Sequence, residues 1–195
     1  MTRFTTPFGF QSTAAEVIAG VDLTEQKAIV TGGAAGNWCK DDPNFPFAMV
    51  SLKQSAPQLS IAINPIEISS ADDLQHAFDE IKQSRLEALI VVSGSLTYGS
   101  SKLIADLALA SGLPSCHGFK EAVAFGGLVS LGPDLVALDR QSARLVDKII
   151  KGESPANIPV EQPSQYLMSI NLKTAKSLGL TIPVALVARA DEVIE

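Results

Sequence analysis

Apolar residues in this chain follow two rhythms, short unbroken runs and stripes recurring every three or four positions, and their alternation predicts a layered α/β fold. The run ALIVV over 88–92 is too brief for a helix and is rich in Ile and Val, so it predicts a strand buried on both faces. Leu103, Ile104, Leu107 and Ala108 then recur at helical spacing, and Gly112 stands where a helix end needs a left-handed residue. A second short strand over 114–117 completes one right-handed βαβ unit.

Upstream, 27–30 reads as a strand, and 71–83 as an amphipathic helix with Ser70 as its cap and Leu74, Ala77, Phe78 and Ile81 on one face. Downstream, Gly126 and Gly127 make a tight turn before a strand over 128–131. Asp134 caps a longer helix whose buried side is marked by Leu135, Leu138, Leu145, Val146 and Ile149, and Gly152 ends it. Pro155, Pro159 and Pro163 predict an extended connector, followed by a strand over 166–170 and a short helix capped by Asn171 and closed by Gly179. The expected architecture is an open parallel sheet of about four or five strands with helices on both faces. In such sheets ligands gather at the carboxyl ends of the strands, which here are Ser93, Gly94 and Ser95, then Cys116, His117 and Gly118.

Composition narrows the function. The chain has 195 residues, 46% hydrophobic and 18% charged, enough for one globular domain, and a formal charge of -6. That charge, with no basic stripe, argues against nucleic acid or an anionic membrane as partner. Apolar runs are too short to span a membrane, and the opening MTRFTTPFGFQS lacks the apolar core of a secretory signal. Cys39 and Cys116 are far apart and read as free thiols, and with His76 and His117 as the only histidines no metal site is expected.

The segment SGLPSCHGFKEAVAFGGLVSLGPD, and the tail LVDKIIKGESPANIPVEQPSQYLMSINLKTAKSLGLTIPVALVARADEVIE, resemble the substrate-binding proteins of ABC transporters, including the aromatic amino-acid type. The likeness reaches back to about Ala48. It implies one lobe of a type I periplasmic-binding-protein fold, with no catalysis and no cofactor. The implied role is recognition of a small-molecule solute for an ABC permease, with Ser93, Gly94, Ser95, Tyr98 and His117 as the ligand-binding wall of this lobe. It also implies that the connector around Glu161–Gln162–Pro163 crosses between two lobes. The family is periplasmic, whereas the chain as written lacks an export signal, which implies the cytoplasm unless a longer precursor is processed.

The opening stretch resembles a different family, the short-chain dehydrogenases: a strand over 27–30 followed by the glycine-rich loop TGGAAG. In that family the glycines let backbone N–H groups approach a pyrophosphate. Gly32 and Gly36 match, with Gly33 between them, but Trp38 occupies the place of the last glycine. Residues 37–47, NWCKDDPNFPF, read as a loop where a nucleotide-binding helix would continue. The expected organisation is a dehydrogenase-like leader over 1–38, a junction loop over 39–47, a binding lobe over 48–158 and a lobe-crossing segment over 159–195. The leader's strand then substitutes for the lobe's missing first strand.

Two other readings follow. Tyr98 and Lys102 form the Y-x-x-x-K spacing in which a lysine lowers a tyrosine's pKa for acid–base work. With Gly32, Gly33 and Gly36 as NAD(P) ligands they make the chain a short-chain oxidoreductase, though the spacing from Gly32 leaves too few βα units. The plainer reading of the pair is an exposed helix start. A third reading is a fused or truncated product without retained activity, held together as a fold or as a homodimer through its exposed lobe face.

Overall fold

The computed structural model describes residues 27–33, 44–59 and 61–195. Among them seven strands form one sheet in the order β2-β1-β3-β4-β5-β6-β7. The strands are β1 Lys27–Gly33, β2 Ala62–Ile68, β3 Ala88–Val91, β4 Ser115–His117, β5 Val129–Pro133, β6 Tyr166–Asn171 and β7 Glu192–Ile194. β1 to β5 are mutually parallel, as helical crossovers require. β6 enters antiparallel to β5, because the excursion that leaves at Pro133 returns to its register partner Tyr166. The parallel portion matches the expected sheet, and the β6–β7 pair extends it. β1 sits between β2 and β3, paired along its whole length with β2 and over Ala28–Thr31 with β3.

Helices cover both faces. The helix α1 (Asn44–Ser55) brings Met49 and Leu52 against Ile63, Ile90 and Val92. On the other face α2 (Asp73–Gln83) packs Leu74, Ala77, Phe78 and Ile81 against Ile66, Ile68, Leu89 and Val91. Two further helices, α3 (Ser95–Gly99) and α4 (Ser101–Ala110), follow β3, and α4 adds Ile104 and Ala108 to the second cluster. The unbroken ALIVV run is thereby explained, since Leu89 and Val91 serve one layer while Ile90 and Val92 serve the other. Each fully buried Leu, Ile or Phe contributes roughly 1.5–3 kcal/mol.

Local differences from the sequence reading have identifiable causes. Residues 44–47, expected as loop, open α1, because Pro46 lies in the first turn where its missing N–H would have no helical partner. Ser70 does not cap α2. The Asp73 carboxylate instead accepts the backbone N–H groups of Ser69 and Ser70, each at 2.7 Å, and these two bonds hold its pKa below the ordinary carboxylate value. Leu103, expected on the buried stripe, is 44% exposed, while Ala105 takes an inward place. Gly112, Gly152 and Gly179 all adopt positive φ, as their places at helix ends predicted.

The long helix α6 (Leu135–Ile150) is capped by Asp134, whose carboxylate accepts from Val136 N–H at 3.0 Å. Its expected buried side is not buried. No residue of α6 is buried, and Val146 and Ile149 are 52% and 43% exposed. Residues 134–165 carry the helix away from the sheet, where it is held by the returning connector. Gln141 Nε2 donates to Glu161 Oε2 at 2.8 Å and to the Gln162 carbonyl at 3.1 Å, and Arg144 pairs with Glu161 at 2.7 Å. Periodicity reports that a helix has a face to bury, not that the covering element lies in the same stretch of chain.

Candidate functional site

The site is built at the carboxyl ends of β3, β4 and β5. After Val91 the chain turns through Ser93 and Gly94 into α3, and the buried Thr97 fixes that turn. Its hydroxyl lies 2.8 Å from the Val92 carbonyl and 3.0 Å from that of Gly94, so one donor serves both acceptors. Tyr98 N–H donates to the Gly94 carbonyl at 2.8 Å, and the Ser101 hydroxyl donates to the Tyr98 carbonyl at 2.6 Å. The loop is therefore tied at both ends before any ligand arrives.

The three strand ends meet in van der Waals contact. A side chain at Gly118 would overlap Ser93 Oγ, and one at Gly132 would overlap the Gly118 carbonyl. Only glycine lets β3, β4 and β5 finish side by side here. Beyond them, the Tyr98 and Phe119 rings stand edge to face, with centroids 5.0 Å apart and planes at 80°. Tyr98 remains 42% exposed. Ser93, Gly94 and Tyr98 thus meet Gly118 and Phe119 in one wall, with Ser95 exposed beside them at the first turn of α3.

His117 takes a different place. It is 4% exposed, and its Nε2 lies 3.0 Å from Ser115 Oγ, which also accepts the Leu128 N–H at 3.3 Å. The Nε2 edge of the ring presses on Gly127, where any side chain would collide with it. Burial drives the imidazole pKa from 6.5 down to about 4, so the ring is neutral near pH 7. His117 stands behind the wall and supports the turn between α5 (Lys120–Ala124) and β5. The adjacent Cys116 is a free thiol pushed up to about 11 by burial, which suppresses the thiolate.

The residues of the dehydrogenase reading are not brought together. Gly32 and Gly33, expected in a phosphate-binding loop, are ladder residues of β1 paired with Glu67 and Ile68, because the strand runs on past Val30. Gly36 lies outside the described residues. Lys102 Nζ pairs with Asp106 at 2.6 Å on the exposed side of α4 rather than with Tyr98. Among the described residues no cluster of His, Cys, Asp and Glu could hold a metal, and no helix is long and apolar enough to cross a membrane. A polar concavity of about 260 Å³ lies between α6 and the connector, lined by Arg140, Gln141, Arg144 and Ser164.

Phe119 was visible in the sequence only as part of a family-like segment, and nothing there announced its contact with Tyr98. The support from Thr97, Ser115 and Gly132 carried no one-dimensional signal, and Gly118 was marked only as a strand end. It arises where separate strands end together.

The profile of a family described as ABC transporter substrate binding protein matches residues 42–194. No curated protein matches the chain by sequence. Among solved structures, a conserved domain protein from Vibrio cholerae is 23% identical with a TM-score of 0.76, covering 86% of this chain and 54% of its own. An ABC domain in complex with L-Trp from Streptococcus pneumonia is 20% identical with a TM-score of 0.80, covering 92% and 59%. A ligand-free, open substrate-binding protein with adhesive properties from Clostridium difficile is 16% identical with a TM-score of 0.62, covering 94% and 60%. At these identities the likeness establishes the fold. The chain spans little more than half the length of the solved proteins it matches.

Proposed function

Because the chain belongs to the ABC transporter substrate-binding protein family, we propose that it supplies one wall of a two-walled solute trap working with an ABC importer. The family is generally non-enzymatic and typically periplasmic, and its members bind small solutes for ABC permeases. The reading of this chain itself rests on one observation, the Tyr98–Phe119 pair standing over the tied Ser93–Gly94 turn at the strand ends. The two rings, set edge to face, make an apolar corner that offers one ring face to a planar body, while Ser93, Ser95 and the backbone around Gly94 offer polar contacts to a head group. The solute class that fits is a small molecule with a planar body and a polar end, as is the L-Trp held by the streptococcal structure. His117 acts from behind, as a neutral prop for the β4 end.

The opposing wall is supplied by a second lobe. Residues 161–165 form the connector between lobes, and the Gln141 and Arg144 bonds to Glu161 fix its path. With one wall, binding is weak and dissociation fast, since closure cannot bury the ligand. The junction between the leader and the binding lobe falls between residues 38 and 48. The family match begins at 42, yet β1 lies outside it and still takes an interior place in the sheet, between the edge strand β2 and β3.

Calorimetric titration tests the solute reading. Aromatic amino acids should bind saturably at millimolar level while leucine and glucose do not, and Tyr98→Ala or Phe119→Ala should weaken binding at least about 5-fold. Equal affinity of the two variants and the parent would remove the basis of the proposal.

A further inference from the structure

We propose that the polar hollow between α6 and the connector is a second binding site, for a small doubly charged oxyanion that keeps a hydroxyl of its own, such as hydrogen phosphate or a hydroxy-dicarboxylate. Arg140, Gln141 and Arg144 line it from the helix, and Ser164 and Gln165 from the connector. Both walls belong to this chain, so the site is complete without an opposing lobe. Its volume of about 260 Å³ lies just below the roughly 300 Å³ at which pockets for drug-sized ligands begin, which suits a small anion.

The arginines set the charge of the occupant. Arg140 and Arg144 stand one turn apart on the helix, so their side chains leave the same face with Cβ atoms roughly 5–6 Å apart. Arg144 pairs with Glu161 at 2.7 Å, whereas Arg140 has no partner among the described residues. Glu161 already shows how a carboxylate is received here. The Gln141 amide, then the Arg144 guanidinium and the Lys148 charge, hold its pKa below the ordinary carboxylate value. One carboxylate does not balance three cations. Of the acids on α6, Asp147 is paired with Lys151, and Asp139 does not line the hollow. A guanidinium meets an oxyanion through two parallel N–H bonds, so two of them on one wall select for that shape as well as for charge.

Gln141 calls for the hydroxyl. Its Nε2 donates to Glu161 Oε2 at 2.8 Å and to the Gln162 carbonyl at 3.1 Å, and its Oε1 is left buried with no donor. A buried acceptor is costly to leave unmade. An anion carrying an O–H supplies that donor, whereas one without it sets a bare oxygen against Oε1. No residue of the aromatic wall takes part, so this proposal and the solute reading stand or fall separately.

Calorimetric titration of the 195-residue chain near neutral pH, at constant ionic strength in sodium chloride, tests it with two matched pairs, phosphate against sulfate and malate against succinate. Phosphate or malate should bind saturably at about 1 mM, and its hydroxyl-free counterpart at least about 10-fold more weakly. Saturation by phosphate alone assigns the site to a phosphoryl group, by malate alone to a hydroxy acid, and by both to the chemistry they share. Arg140→Gln should weaken binding at least about 10-fold with an unchanged circular dichroism spectrum, since this side chain is exposed and unpaired. Arg140→Lys, which keeps the charge without the fork, should restore binding only in part, and Tyr98→Ala should leave it as it is. Heats that never saturate, equal binding within the pair that does saturate, or parent affinity in Arg140→Gln would overturn the proposal.

Discussion

Acidification should weaken the fold through His117 before carboxylates contribute much. In the unfolded chain this imidazole takes a proton near its ordinary value of 6.5, whereas in the fold burial holds it neutral down to about 4. Between those values the unfolded state binds more protons, so stability is full above about pH 7 and falls steadily as the pH drops through the window. The gap between 6.5 and about 4 corresponds to roughly 3 kcal/mol, at ~1.4 kcal/mol per pH unit. Asp73 and Glu161, both held below the ordinary carboxylate range, act in the same direction but at and below the window's lower edge. The assay is urea unfolding followed by far-ultraviolet circular dichroism at several pH values, beside an NMR titration of the imidazole. His117→Gln should flatten the profile between pH 6.5 and 4, at some cost in stability at pH 7 from the lost Ser115 contact. A folded-state imidazole that titrates near 6.5, or an acid loss undiminished in His117→Gln, would refute the reasoning.

Other perturbations read different parts of the account. Ile29→Pro should prevent folding or cost at least about 3 kcal/mol, because β1 is laddered on both sides and proline removes a donor there; soluble expression and thermal melting would show it. Asn171→Ala should cost about 2 kcal/mol in denaturant unfolding, since the buried amide both caps the helix after β6, through Thr174 N–H at 3.0 Å, and donates to the Val123 carbonyl at 3.1 Å. Gly132→Ala should destabilise by at least about 2 kcal/mol and loosen the wall, while Gly99→Ala, with open space around it, should be neutral or stabilising by up to about 1 kcal/mol in the same assay.

The parallel layer was legible because buried strands and amphipathic helices write their rhythm directly into the chain. The 88–92 run, the Leu74–Phe78–Ile81 face and the glycines at helix ends each mean one thing locally, and the structure uses them that way. α6 was misread because its stripe is real but its cover is not within the described residues. Gly32 and Gly33 were misread because a glycine in a ladder and a glycine in a phosphate loop look alike until the register is known. The strand-end rule pointed to Ser93, Gly94 and Tyr98 without reference to contacts, and the structure sets the Tyr98 ring against Phe119. The sequence could not place His117 behind them, because strand alternation gives a side chain's face but not what packs on it. Phe119 joined them only through the meeting of two separate βα turns.

The central claim is that this lobe recognises a solute on the aromatic wall at the ends of β3 and β4. The most direct measurement is a heteronuclear NMR titration of the nitrogen-15-labelled chain with L-tryptophan. The account predicts saturable shifts of Ser93, Gly94, Ser95, Tyr98 and Phe119, with α6 unmoved. No shift up to ~10 mM, or shifts confined to the Arg140–Ser164 concavity, would contradict it.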